Sequence, residues 1–196
     1  GKTVMAGLLV KELLLRGDAA NVMVVSPGVL ADQWDEEMRT KFGLEFEVLT
    51  RDKVIHEGNP FSRGGLWLAR LDVLARNSEG ILDKACQVDW DLIIFDEAQR
   101  AWDAEQCAKK IDRNVSEPEL ILSIMDRHTD WAVIVALVGG GQEINTGEAG
   151  LAEWGRALQS RFPHWTVAVS PTALSTGQTD RMQQLFAEDG SARPLV

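Results

Sequence analysis

The sequence predicts an α/β fold, three layers deep, with helices flanking a mainly parallel central sheet. Short apolar runs alternate with helix-like segments along the chain, the order that parallel β-α units require. One of those runs, Asp91-Leu-Ile-Ile-Phe95, delivers Asp96 and Glu97 at its carboxyl end, where ligands sit in such sheets. The chain has 196 residues, 45% of them hydrophobic, which is ample for a real core.

The elements follow in order. Val4 to Arg16 reads as a helix with Gly17 as its stop. Asn21 to Ser26 reads as a buried strand, and Pro27-Gly28 turns the chain. Val29 to Phe42 reads as one amphipathic helix with Gly43 behind it. Glu45 to Leu49 is a short strand. Arg51 to Gly65 is polar and holds Gly58, Pro60, Gly64 and Gly65, so an irregular surface loop is expected. Leu66 to Ala69 reads as a strand, Leu71 to Arg76 as a helical turn or more, and Asp91 to Phe95 as a strand. Ala104 to Ile111 is helical. Ser116 with Glu119 forms a capping-box pattern, with Pro118 in the first turn of a helix to about Arg127. Trp131 to Val138 is the most apolar strand and ends at Gly139-Gly140-Gly141. Glu148 to Arg161 reads as a helix, Trp165 to Val169 as a strand, and Arg181 to Ala187 as a last helix. One domain is expected over residues 1–187, with a loose tail over 188–196.

Composition narrows the function. The net charge is −10 and the pI about 4.8, which argues against gripping nucleic acid by bulk electrostatics. A few local loops contacting phosphates remain compatible with that charge. No apolar run reaches the roughly 18 residues of a membrane span, so no membrane partner is expected. Cys86 and Cys107 have no metal-type spacing and are expected to be reduced thiols of a cytoplasmic protein.

Three motifs carry chemistry. Gly1-Lys2-Thr3 is the tail of the phosphate-binding loop G-x-x-x-x-G-K-[ST]. The residues before its last glycine are not in the sequence, so a domain truncated at its N-terminus is expected. In such a loop the lysine ammonium reaches the β- and γ-phosphates, the threonine hydroxyl ligates Mg2+, and the first helical turn offers free N–H groups. Gly-Lys-Thr by itself is a common tripeptide, but here a helix begins directly after it. Second, Asp96 at the end of a strand is placed to hold Mg2+, and Glu97 to orient and deprotonate an attacking water. An acidic pair also caps strands without any chemistry. Its spacing of about ninety residues from Gly-Lys-Thr, with β-α units between, argues for the chemical role. Third, Gln142 follows another apolar strand and three glycines, where a glutamine can reach the γ-phosphate or the water. A flexible turn is the plain alternative there.

The seven tryptophans, Trp34, Trp67, Trp90, Trp102, Trp131, Trp154 and Trp165, offer base-stacking platforms in principle. Their places at element edges and on apolar faces fit core packing better. His56, His128 and His164 have no ligand spacing and take no role.

Residues 1 to about 103 resemble the first motor domain of Swi/Snf-type superfamily 2 ATPases. Gly1-Lys-Thr-Val-Met-Ala-Gly-Leu-Leu matches the first motif, Val24-Val-Ser-Pro27 through Gln33-Trp34 the second, and Leu92-Ile-Ile-Phe-Asp-Glu-Ala-Gln99 the Asp-Glu motif. Residues 94 to 171 look more like a family of P-loop DNA/RNA helicases related to Schlafen-type ATPases. Phe95 to Trp102, Ser116-Glu-Pro-Glu119, Met125-Asp-Arg-His128 and Val138 to Glu148 carry that likeness. The resemblance implies a RecA-like P-loop domain, ATP and Mg2+ as ligands, and γ-phosphate contact by Gln142. It also implies a second motor domain with an arginine finger, for which neither Arg181 nor Arg193 can be nominated on spacing.

The reading that results is the ATP-binding motor domain of a nucleic-acid-dependent ATPase, a helicase or translocase acting on DNA or RNA in the full-length protein. Gly1, Lys2 and Thr3 would hold phosphates and Mg2+, Asp96 the metal, Glu97 would be the base, and Gln99 and Gln142 would sense nucleotide. Hydrolysis by this domain alone is expected to be weak. Two alternatives stay open: a P-loop switch or defence-associated regulator without motor activity, and a folded remnant that no longer binds nucleotide.

Overall fold

The computed structural model describes residues 1–76, 80–98, 101, 103–111, 114–138, 151–170 and 192–194. The chain divides into two compact units, Gly1–Glu97 with Ser123–Leu137, and Ala98–Leu122 with Val138–Val196.

The first unit opens with α1 (Lys2–Arg16), whose N-cap is Gly1. The helix stops where Gly17 takes a left-handed φ of 73° and its N–H turns back to the last carbonyls, a conformation that costs glycine little. β1 (Val22–Ser26) is buried along its whole length. The single helix expected over Val29 to Phe42 is instead three pieces: a 3-10 turn (Gly28–Leu30), α2 (Ala31–Glu37) and a π-helical turn (Met38–Phe42) closed by Gly43 at φ 64°. Within that stretch the Thr40 hydroxyl donates to the Glu36 carbonyl at 2.6 Å, a local bond that competes with the regular helical pattern. The wider turn sends both Met38 and Phe42 into the core. They lie so close to Gly7 of α1 that a Cβ there would run into the Phe42 ring and the Met38 methyl.

β2 (Glu47–Leu49) leads into the segment expected to be an irregular loop. That expectation is corrected: α3 (Arg51–His56) is helical, and Pro60–Arg63 form a 3-10 turn. Capping explains both. The Thr50 side chain accepts from the Lys53 N–H at 3.3 Å, and Asn59 Oδ1 accepts from the Phe61 N–H at 3.0 Å. Phe61 is fully buried and meets Trp67 and Trp90 edge-on, with ring centroids 4.9 and 5.6 Å away. The glycines and proline of this stretch mark where the chain turns; they do not make it structureless.

β3 (Leu66–Arg70), α4 (Leu71–Arg76), the short α5 (Ile81–Ala85) and β4 (Leu92–Phe95) follow. The five strands of this unit, with β5 at Val133–Ala136, form one parallel sheet in the order β2-β3-β1-β4-β5. The α/β class and the parallel sheet read from the sequence are what the chain adopts. Alternate residues Val22, Val24, Leu92 and Ile94 share a core cluster with Ala6 and Val10 of α1, Trp34 of α2, and Met38 and Phe42. β5, expected as the most apolar strand, is not a buried one. Its residues are only partly covered, Val133 being 42% exposed, because it lies at one edge of the five-stranded order. An apolar run does not tell an edge from a centre.

α6 (Ala104–Ile111), in the second unit, and α7 (Glu117–Met125), whose last three residues belong to the first, lie where the sequence placed them. Ser116 Oγ accepts from the Glu119 N–H at 3.4 Å, half of the expected capping box. In α8 (Leu151–Ser160), Trp154 is buried and its indole donates to the Ala98 carbonyl at 3.2 Å. β6 (Val167–Val169) pairs in parallel with β7 (Ala192–Pro194), a short strand inside the stretch expected to be a loose tail. Pairing with β6 makes that strand; no pattern in the tail announces it. The helix expected over 181–187 lies outside the described residues.

Candidate functional site

β4 is the element that builds the site. Four buried apolar residues, flanked by β1 and β5, carry the chain to Asp96. The Asp96 N–H donates to the Val25 carbonyl at 2.9 Å, so the ladder to β1 continues one residue past the strand. At Glu97 the backbone swings to a φ of 60°, the left-handed region, and among the described residues Glu97 is the non-glycine residue there. Side-chain crowding disfavours that region by about 1 kcal/mol, and such residues gather at functional sites. Asp96 Oδ1 accepts from the Glu97 N–H at 2.9 Å, which helps hold the turn.

The result is two adjacent carboxylates, 5% and 6% exposed, at the carboxyl end of a central strand. Burying two negative charges side by side is costly unless a cation faces them. Lys2 supplies it. From the first turn of α1 its Nζ donates to Glu97 Oε1 at 2.5 Å and lies 3.6 Å from Asp96 Oδ1. Gly1 caps the same helix end without a side chain, and no acidic residue stands in its first turn. Thr3 stands beside Lys2 in that turn, half-buried. Thus Lys2, Asp96 and Glu97, named from two distant motifs, meet in one cluster. Gln99 and Gln142 lie outside the described residues.

One member of the cluster was read from sequence only as packing. Trp34 is 2% exposed, and its indole Nε1–H donates to Asp96 Oδ2 at 2.8 Å. The signal was the Gln33-Trp34 pair on α2; what it could not show is which carboxylate, 62 residues later, the indole would find. Trp67 and Trp90 donate instead to backbone carbonyls, of Gly64 and Ala85, so core packing is their role. Ser26, at the end of β1, is fully buried, and its hydroxyl has no hydrogen-bond partner among the described residues.

Oxygen donors of this kind suit a hard divalent cation. Mg2+ is held by one or two carboxylates, a hydroxyl and phosphate oxygens rather than by a cage of side chains. Among the described residues no group of three or more His, Cys, Asp and Glu could hold a metal ion. The Asp96 carboxylate, and the buried Ser26 hydroxyl at the adjoining end of β1, which has no hydrogen-bond partner among the described residues, are oxygen donors of the kind Mg2+ takes. Among the described residues no helix is long and apolar enough to cross a membrane.

With this geometry in hand the comparison with known families is specific. A family model described as Schlafen group 3, DNA/RNA helicase domain, matches residues 1–185. The match runs through the first hundred residues likened above to Swi/Snf-type motors as well as through the later half. The helicase-like character and the Schlafen relationship therefore apply to nearly the whole sequence, and the chain belongs to the Schlafen group 3 DNA/RNA helicase domain family.

Proposed function

We propose that this helicase-like domain binds ATP with Mg2+ at the Lys2–Asp96–Glu97 cluster and hydrolyses it in work on DNA or RNA. The observation that carries the reading is the convergence of a lysine at a helix N-terminus with two buried carboxylates at a strand end, 95 residues apart in sequence. A phosphate chain would draw the Lys2 ammonium away from Glu97, with the α1 N–H groups and Thr3 around it. Asp96 and the Thr3 hydroxyl would hold Mg2+, which when bound neutralises phosphate charge during transfer. Glu97, released from the lysine, would accept the proton of the attacking water. Gln99 and Gln142 would sense the nucleotide, and a second motor domain would supply the arginine that speeds hydrolysis. The RecA-like layering and the likeness to Swi/Snf motors belong to this reading.

The net charge of −10 favours a second reading, a nucleotide switch that changes partner affinity without moving on a strand. ATPase rates with and without DNA or RNA separate the two. Nucleic-acid stimulation that is lost in Lys2→Ala and Glu97→Gln supports the motor; binding of ATP with no stimulation supports the switch. Unchanged stimulated hydrolysis in both variants overturns the site.

A further inference from the structure

We infer that Trp34 is a positioning residue for Asp96: its indole N–H fixes how the carboxylate is turned, and through that the strength with which the site holds Mg2+. This rests on the reading of Asp96 as the metal-holding carboxylate.

Three observations support it. The Trp34 Nε1–H to Asp96 Oδ2 bond is 2.8 Å long and buried at both ends. A hydrogen bond to a buried charge is stronger than one between neutral groups, and removing its donor leaves a charged oxygen without a partner. The two oxygens are also divided. Oδ2 is taken by the indole, while Oδ1 accepts from the Glu97 N–H at 2.9 Å and faces Lys2 Nζ at 3.6 Å. Rotation of the carboxylate would break both sets at once. Finally, Ser26 continues the alternation of Val22 and Val24, as Asp96 continues that of Leu92 and Ile94, so both point to the same face from neighbouring strands. Yet the Ser26 hydroxyl has no partner among the described residues. Asp96 is turned to the indole and not to the hydroxyl beside it.

Outer partners of metal-ligating groups orient them and tune affinity, and their loss weakens metal binding roughly 10- to 100-fold. Trp34 and Ala31 are the buried residues of α2, so the indole is packed on the core side of that helix.

The test is Mg2+ dependence in the longest chain that hydrolyses ATP, read by ATPase titration and independently by Mn2+ binding followed by electron paramagnetic resonance. Trp34→Phe keeps an aromatic ring and removes the N–H. The expected result is a roughly tenfold weaker Mn2+ affinity and a matching shift of the Mg2+ midpoint, with rates recovered at high Mg2+. Asp96→Asn should not recover. In the wild-type protein, one of the seven indole N–H resonances should move on Mg2+ addition and shift in Asp96→Asn; this readout stands even if Trp34→Phe does not fold. Wild-type metal affinity in a folded Trp34→Phe, or metal binding that moves no indole resonance, overturns the positioning role. Absence of any metal binding by the wild type overturns the ATPase reading itself, and this inference with it.

Discussion

Lys2 Nζ donates a 2.5 Å hydrogen bond to Glu97 Oε1, so the cation proposed to hold phosphate and the carboxylate proposed as a base form one ion pair. On the proposed reading, the two roles are linked, because a phosphate that drew the lysine to itself would break this ion pair with the glutamate. Lys2→Ala is expected to weaken ATP binding, whereas Glu97→Gln should bind ATP and lose roughly 10²- to 10⁴-fold in turnover, the range of a lost general base. Equilibrium nucleotide binding and single-turnover hydrolysis on the two variants check the split.

The left-handed backbone at Glu97, φ 60°, makes a separate stability prediction. A side chain at that φ is strained and a glycine is not. Glu97→Gly is expected to be more stable than Glu97→Ala by about 1 kcal/mol, although helix and strand interiors show the reverse order. Urea midpoints of the two variants, measured side by side, decide it; an Ala variant that matches or exceeds Gly speaks against the strained turn.

Gly7 sits where α1 closes on the π-helical turn, and a Cβ there meets the Phe42 ring and the Met38 methyl. Gly7→Ala should destabilise the fold by about 1–3 kcal/mol, as overpacking does, despite the better helix propensity of alanine. Shortening the opposing ring in Gly7→Ala with Phe42→Leu should return part of that loss. Additive effects in the double variant would place the clash elsewhere.

Cys107 is buried, and burial, reinforced by the carboxylates of Glu117 and Asp103, pushes its thiol up to about 12. Cys86 is raised by burial as well, but it is only partly covered. At pH 8, iodoacetamide should modify Cys86 first and Cys107 only on unfolding. The folded chain holds the Cys107 proton more tightly than the unfolded chain does. Its contribution to stability is thus complete below about pH 9 and lost as pH rises towards 12. Cys107→Ala should flatten that alkaline slope, which a chemical-denaturation series from pH 8 to 11 measures.

Much of this was legible in advance where one residue type serves one local purpose. Gly17 and Gly43 stop their helices with left-handed φ values, as their positions implied. Lys2, Asp96 and Glu97 could be singled out as candidates because Gly-Lys-Thr and an acidic strand end each leave a short pattern. The helical segment after Thr50 was not, because its cap is a single hydroxyl among glycines and a proline that read as loop. Nor was the π-helical turn, which exists to seat Met38 and Phe42 against Gly7.

The sequence by itself determined the class of the fold and the alternation of strand and helix, and it nominated the side chains proposed for phosphate, metal and proton chemistry, since these depend on local periodicity and residue type. Tertiary structure alone decided the strand order that puts β4 between β1 and β5. It also decided that Lys2 closes on Glu97 and that the Trp34 indole, one of seven, holds Asp96. The physical reason is distance along the chain. Contacts between residues 62 and 95 positions apart depend on how whole elements pack, and no local pattern encodes which partner a buried donor will meet.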